Sequence, residues 1–208
     1  MKKVILTLLF LSLVSLTFAQ DQKEEKVSKI GAYAGLTQST FYRTGFPSLP
    51  FDSGSLFGFE AGIDFPVIQK SNFESRLYLG YSIYGANETF ADDVQSVETK
   101  VSFNALRLAA IPAIYTVDVD KFKLSAGIGG YAALNLSEDI SSSTDDVFFE
   151  EDLFSSLNYG LQLQLGLRYQ RYILNLNLYN SLNNVAEAFI GPAVIKSKGS
   201  SLTVSYMF

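Results

Sequence analysis

The chain has 208 residues, a formal net charge of −5, and neither cysteine nor histidine. These absences exclude disulfides, thiol chemistry, cysteine or histidine zinc sites and Ser-His-Asp catalysis. The acidic balance argues against nucleic-acid binding, while aromatic residues make up 14% of the chain, a high share for a secreted protein without disulfides.

The first nineteen residues have the pattern of a secretory signal peptide. Lys2 and Lys3 precede an apolar run over residues 4–16, and small residues stand before Gln20. The run is too short for a spanning helix, and no stop-transfer pattern follows it. We therefore predict a signal peptide at residues 1–19, cleaved near Ala19-Gln20. Its removal takes away two lysines and changes the formal charge from −5 to −7.

A flexible leader is predicted at residues 20–28, followed by one barrel domain at 29–208. The domain contains eight predicted strands at about 29–41, 55–68, 73–85, 100–115, 121–136, 156–169, 172–182 and 199–208. The sixth is the clearest, because apolar and polar or small residues alternate strictly. Its apolar set is Leu157, Tyr159, Leu161, Leu163, Leu165, Leu167 and Tyr169.

Long and short connections alternate between these strands. We predict short turns at residues 69–72, 117–120 and 170–171, and a bulge or strand end at Pro112, which cannot donate to a ladder. An antiparallel meander with long loops at one end and tight turns at the other is the design of outer-membrane barrels. The fold class is therefore an all-β, eight-stranded, up-and-down transmembrane barrel with extracellular loops and periplasmic turns.

The pattern itself leaves open which face meets the lipid. A soluble lipocalin-like barrel would turn the apolar face inward, around a lipophilic ligand. The polar face, however, is mostly Gly, Ser, Asn, Gln and Ala, which suits a crowded lumen better than a water-exposed surface. Aromatic residues also gather near the strand ends, as in the interfacial girdles of membrane barrels. We therefore expect the apolar face to point outward.

Several segments resemble the PorT-like outer-membrane β-barrel family, whose small barrels are akin in architecture to OmpX and the OmpA membrane domain. The resemblance lies in residues 106–112, 124–131, 171–174 and 179–184 and in the last strand. The terminal Phe208 with Leu202, Val204 and Tyr206 looks like the signal read by the barrel-assembly machinery. The family is a fold grouping with several roles, so the resemblance implies no catalytic residues.

Six charged residues fall on the predicted inward face: Glu60, Asp64, Glu74, Arg76, Arg107 and Arg168. Three acids and three bases in a narrow interior should pair, because an unpaired buried charge is costly. The pairs would either hold the barrel closed or line a small gated ion path.

The long loops hold the other candidate features. The loop at 137–155 contains seven acids that could bind a cation, although their spacing fits no EF-hand. Apolar loop residues could pack over the barrel mouth or contact a partner. They are Phe46, Pro47, Leu49, Pro50 and Phe51; Phe148, Phe149, Leu153 and Phe154; and Val185, Ala188, Phe189 and Ile190.

The sequence thus predicts a small outer-membrane barrel with a structural, adhesive or complex-accessory role in its surface loops. It predicts neither enzyme activity nor a cofactor. The expected partners are outer-membrane lipid and lipopolysaccharide, the assembly machinery during biogenesis, and a protein at the extracellular loops. The alternatives are a narrow pore or transporter and the soluble lipid-binding barrel.

Overall fold

A computed structural model describes residues 30–44, 51–70, 72–91, 96–142, 154–186 and 194–208. The predicted signal peptide and leader lie outside these residues. Eight strands follow in order: β1 Gly31–Thr44, β2 Phe51–Lys70, β3 Phe73–Ala91, β4 Ser96–Val119, β5 Phe122–Ser142, β6 Leu157–Tyr169, β7 Tyr172–Ser181 and β8 Val194–Met207. None of the described residues forms a helix long and apolar enough to cross a membrane.

Each strand pairs antiparallel with the next, and β1 pairs with β8 to close the barrel. The predicted eight-stranded up-and-down architecture is confirmed. We call the end with connections 71–72, 120–121 and 170–171 the turn end, and the opposite end the loop end. Asp120 and Gln170 have φ of 53° and 54°, because a two-residue hairpin needs a left-handed residue to match the strand twist.

Several predicted strands are too short at the loop end. Strands β2 to β5 have 20, 19, 24 and 21 residues, whereas β6 and β7 have 13 and 10. The sequence prediction ended strands where apolar alternation ends, but pairing continues between polar residues such as Asn87 and Lys100. Backbone hydrogen bonds need no apolar side chain. One side of the ring therefore forms a raised wall, made of β2 to β5.

Two local predictions concern β4. The predicted turn at 117–120 is wrong, because Val117 and Val119 continue the strand and the turn consists of Asp120 and Lys121. The predicted irregularity at Pro112 is confirmed, since the register with β5 shifts between Ala110 and Ala113. A bulge there lets proline stay in the strand without donating a ladder hydrogen bond.

The apolar face of the strands points outward. Leu36 is 70% exposed and Phe57 is 74% exposed, and alternate residues of β6 and β7 are exposed leucines. The intervening side chains, such as Gln162 and Asn175, are buried in the lumen. The soluble alternative, with its apolar face around a ligand, is therefore wrong.

A charge placed on this outward face should destabilise the barrel according to its depth. Leu163 lies midway along β6, and Leu157 at its loop end. We expect Leu163→Arg to lower the free energy of unfolding by about 2–4 kcal/mol, and Leu157→Arg by about 0–1 kcal/mol. Urea unfolding in lipid vesicles measures both, and equal effects would contradict the membrane depth assigned to β6.

Candidate functional site

The lumen at the turn end holds a four-residue ion-pair cluster, which we call the Arg76 cluster. Arg76 on β3 donates to Asp64 on β2 at 2.7 Å, and to Glu74 at 2.7 and 3.0 Å. Arg168 on β6 reaches Glu74 from across the ring at 3.3 Å. Asp64, Glu74 and Arg76 are each at most 5% exposed. One shared carboxylate thus joins β3 to β6 through the interior.

Arg107 on β4 lies in the middle of the lumen, in what we call the Arg107 layer. Its guanidinium donates to Glu60 at 3.1 Å and to Gln162 at 2.9 Å. The guanidinium carbon also lies 4.8 Å from the ring centre of Tyr131 and 4.5 Å from that of Tyr179. Ring faces attract a cation most strongly where water is excluded, so this layer combines an ion pair with aromatic contacts on two sides.

Amide side chains connect the two charged layers. Gln162 and Gln164 on β6 both donate to Asn177 on β7, at 3.0 and 3.2 Å. Gln164 also donates to the hydroxyl of Tyr78 at 2.9 Å, and Asn177 donates to Ser201 on β8 at 3.1 Å. These hydrogen bonds tie β3, β6, β7 and β8 together inside the barrel.

All six charged residues predicted for the lumen lie inside it and join these two groups: Glu60 and Arg107 in the Arg107 layer, and Asp64, Glu74, Arg76 and Arg168 in the Arg76 cluster. The sequence prediction did not single out the inward tyrosines Tyr33, Tyr131 and Tyr179. The two-residue period could have found them, because Tyr131 has the parity of Ser125 and Gly127 in β5, opposite to that of the outward Leu124 and Ile128.

An apolar cluster lies in the lumen at the loop end, where Arg43 also pairs with the buried Glu88 at 3.2 Å. We call the residues there the loop-end cluster: Phe41, Tyr84, Ala86, Val101, Phe103, Ala105, Ala133, Val185, Ala186 and Ile195, with Ile140 and Phe154 packed against them. The ring of Phe103 lies 5.1 Å from that of Phe154 and 5.2 Å from that of Tyr84. Large rings therefore fill the mouth of the barrel.

Two connections fold inward to complete this cluster. The amide of Ser155 donates to the carbonyl of Val185, and the amide of Val185 donates to that of Ile195, both at 2.8 Å. The side chain of Asn184 also accepts a hydrogen bond from Ile195 at 2.8 Å. Phe154 and Val185 thus pack over the mouth of the barrel. For these two residues, this confirms the first of the two interpretations of the apolar loop residues.

The rest of those loop predictions fall largely outside the described residues, which exclude 45–50, 143–153 and 187–193. Of the acids in the loop at 137–155, Glu138 and Asp139 belong to β5, and the other five lie outside the described residues. Among the residues that the structure describes, no group of three or more Asp and Glu could hold a metal ion.

Three small cavities lie in the described lumen. Two border Arg107, each of about 10 Å³, which is about the space that one water molecule needs. A third, of similar volume, lies beside Arg76 and Arg168. Side chains therefore block the interior at three levels: the Arg76 cluster, the Arg107 layer and the loop-end cluster.

The four residues predicted as an assembly signal lie on the outward face of β8 and at the chain end. Leu202, Val204 and Phe208 are 50–62% exposed. The ring of Tyr206 lies 5.2 Å from that of Tyr172 and 5.4 Å from that of Phe208. These rings form part of an aromatic girdle at the turn end, which also includes Phe122 and Tyr169 at 5.2 Å.

Removing the cation of the Arg107 layer should be costly. Arg107→Met leaves the buried Glu60 without its partner, so we expect a loss of about 3–5 kcal/mol in the free energy of unfolding. Adding Glu60→Gln should recover most of that loss, because the unpaired charge is then gone. Urea unfolding of both variants measures this. The control is Arg171→Met at an exposed residue, whose free energy of unfolding should stay within about 0.5 kcal/mol of the wild-type value. A double variant as unstable as the single one would show that the ion pair does not set the cost.

Comparisons with known proteins agree with this geometry. The family model described as "Outer membrane protein beta-barrel domain" matches residues 18–187. No curated protein matches the chain in a sequence search.

Solved structures similar to this chain include the outer membrane protein OprG, Neisserial surface protein A and Ail. OprG of Pseudomonas aeruginosa is 14% identical with a TM-score of 0.48, covering 90% of this chain and 99% of its own. Neisserial surface protein A is 18% identical with a TM-score of 0.47, covering 88% and 100%. Ail of Yersinia pestis, in complex with the heparin analogue sucrose octasulfate, is 11% identical with a TM-score of 0.46, covering 88% and 100%. Because the family model matches most of the residues, the chain belongs to the outer membrane protein beta-barrel domain family and resides in the outer membrane.

Proposed function

We propose that this barrel is a structural, adhesive or complex-accessory protein of the outer membrane, which acts through its loop end and catalyses no reaction. The observation that carries the proposal is the blocked lumen. The Arg76 cluster, the Arg107 layer and the loop-end cluster each place buried, mutually packed side chains in the lumen. A solute would have to displace ion pairs or aromatic rings at all three levels.

The raised wall supports a role at the loop end. Strand β4 has 24 residues and β6 has 13, so the wall extends past the neighbouring rim by several residues, at roughly 3.3 Å of strand per residue. Its residues pair as a regular ladder up to Ala91 and Ser96. A rigid sheet that projects from the rim suits contact with another macromolecule better than it suits passage of a solute.

The non-enzymatic part of the proposal rests on residue chemistry. The chain lacks His and Cys. The four buried acids that the structure describes are engaged with arginines: Asp64 and Glu74 with Arg76, Glu60 with Arg107, and Glu88 with Arg43. Carboxylates held in ion pairs are poorly placed to transfer protons. The resemblance to the PorT-like family supports the finer assignment, an accessory component of a secretion or surface-protein assembly.

Export and assembly belong to the same proposal. Residues 1–19 would be removed near Ala19-Gln20, and the terminal strand with Phe208 would be read by the barrel-assembly machinery. N-terminal sequencing of the protein from outer membranes tests the first step. Comparing its gel mobility with and without boiling tests whether the barrel has assembled.

Conductance measurements distinguish the blocked barrel from the pore alternative. We expect the wild-type protein, inserted in planar bilayers and verified as folded by heat-modifiability, to give no stepwise current. Arg107→Ala should also stay silent, because the other two levels still block the lumen. Wild-type currents that change on Arg107→Ala would contradict the proposal and support a gated ion path.

One observation favours that second candidate. The Nε atom of Arg107 and the Nδ2 atom of Asn175 are buried without a hydrogen-bond partner in the protein. Buried polar atoms are ordinarily satisfied, so water should occupy the small cavities beside them. Water held at several levels of the lumen is what a narrow ion path would need when it opens.

The partner surface has its own test. We expect Phe148→Ser/Phe149→Ser to reduce co-purification of a cross-linked outer-membrane partner at least tenfold, because large apolar and aromatic side chains commonly anchor protein contacts. Asp145→Asn/Asp146→Asn is the matched control from the same loop and should keep the partner. The reverse result would indicate recognition through charge rather than through apolar contact.

A further inference from the structure

The outward face of β1, β7 and β8 changes from apolar to polar at one level along the strands. Toward the turn end it carries the exposed leucines Leu36, Leu178 and Leu202. Toward the loop end the next outward residues are polar: Gln38 and Thr40 on β1, Asn180 on β7, and Ser200, Lys198 and Lys196 on β8. The register places Gln38 opposite Ser200 and Thr40 opposite Lys198, so the polar residues form one continuous patch.

The depth of this patch matches the edge of the membrane. Lys198 lies eight positions along β8 from Tyr206, which belongs to the aromatic girdle at the turn end. Eight residues span about 26 Å of strand, or about 20 Å along the axis at a tilt near 40°. The apolar band of such barrels is about 25 Å tall. Lys198 therefore lies near the boundary between acyl chains and headgroups at the loop end.

Among the side chains that the structure describes, no carboxylate lies within ion-pair distance of Lys196 or Lys198. Other basic side chains of the barrel do, for example Lys123 with Asp118 at 3.5 Å and Arg43 with Glu88 at 3.2 Å. The ammonium of Lys198 instead lies 5.5 Å from the ring centre of Tyr42. The patch thus carries positive charge on a protein whose net charge is negative.

An open groove of about 330 Å³ lies within the patch. The polar side chains along it include Gln38, Thr40, Ser55, Asn180, Lys198 and Ser200. Asn180 is held in place by the hydroxyl of Tyr42, which donates to its side-chain oxygen at 2.8 Å. Hydroxyls, amides and a lysine around one groove supply the donors that a phosphate group accepts.

We propose that this groove, with Lys196 beside it, binds the phosphate-bearing headgroup of a lipid in the leaflet at the loop end, with its acyl chains along Leu36, Leu178 and Leu202. In the outer membrane, that lipid is the phosphorylated lipid A part of lipopolysaccharide. A free phosphate ion would use the lysines and hydroxyls but not the leucines. The continuity between the polar groove and the apolar band favours the lipid.

The test uses the full mature protein, extracted from outer membranes in mild detergent and titrated with purified lipid A by native mass spectrometry. The variant Lys196→Gln/Lys198→Gln should bind bisphosphorylated lipid A roughly 25-fold more weakly than the wild type, since each lysine near an anionic lipid surface contributes about fivefold. Lys100→Gln is the matched control, because Lys100 is an exposed lysine at the loop end of β4. It should bind as the wild type does.

Dephosphorylated lipid A should bind the wild type and the double variant equally weakly. Gln38→Trp fills the groove without removing a charge, so it should also weaken binding. This variant tests the proposal if the double variant fails to fold. Equal affinity of wild type and folded variants for the phosphorylated lipid would overturn the proposal. A second result would also overturn it: inorganic phosphate protects the wild type from thermal unfolding as strongly as lipid A does. That result would indicate a site for free phosphate.

Discussion

Backbone pairing between β1 and β8 closes the sheet, and the rest of the structure depends on that closure. Fourteen residue pairs join the two strands, from Gly31 with Met207 to Thr44 with Val194. In a closed ring every residue of a strand faces either the lumen or the surroundings. The alternation of side chains then decides, residue by residue, whether a group meets lipid or the protein interior. The apolar outward face and the polar lumen therefore both follow from the two-residue alternation of side chains along each strand.

The same closure limits both the charge and the side-chain volume that the lumen can contain. An eight-stranded barrel leaves room for side chains and little else, so each inward charge must meet its counter-charge nearby. Glu74 meets this condition twice, with Arg76 on its own strand and with Arg168 from β6. Arg107 meets it with one carboxylate, one amide and two tyrosine rings. Near the mouth, aromatic and aliphatic side chains form the loop-end cluster, and Arg43 pairs with the buried Glu88 at 3.2 Å.

Sequence periodicity was sufficient to predict most of the strands and to place residues such as Glu60 and Arg107 on one face, because a single strand displays this parity by itself. Which face points outward had to be predicted from other signals, namely the small and uncharged residues of the polar face and the aromatic residues near the strand ends. The strand lengths were harder, because the extended pairing of Asn87 with Lys100 and its neighbours has no apolar signature. Packing over the mouth was one of two interpretations of the apolar loop residues, and the sequence could not decide for Phe154 and Val185, because their place depends on how two separate connections fold. Lys196 and Lys198 were also missed, because the predicted last strand begins at residue 199, whereas β8 begins at Val194.

The raised wall of β2 to β5 gives the molecule a front and a back. Its tallest strand, β4, lies opposite β8 in the ring of eight, so the high side of the rim and the polar groove on β1, β7 and β8 face away from each other. A barrel with an even rim could spin in the membrane without altering what it presents. In this barrel, by contrast, rotation about the barrel axis changes the direction in which the raised wall faces. A neighbour attached on the low side would therefore fix the direction in which the high side points.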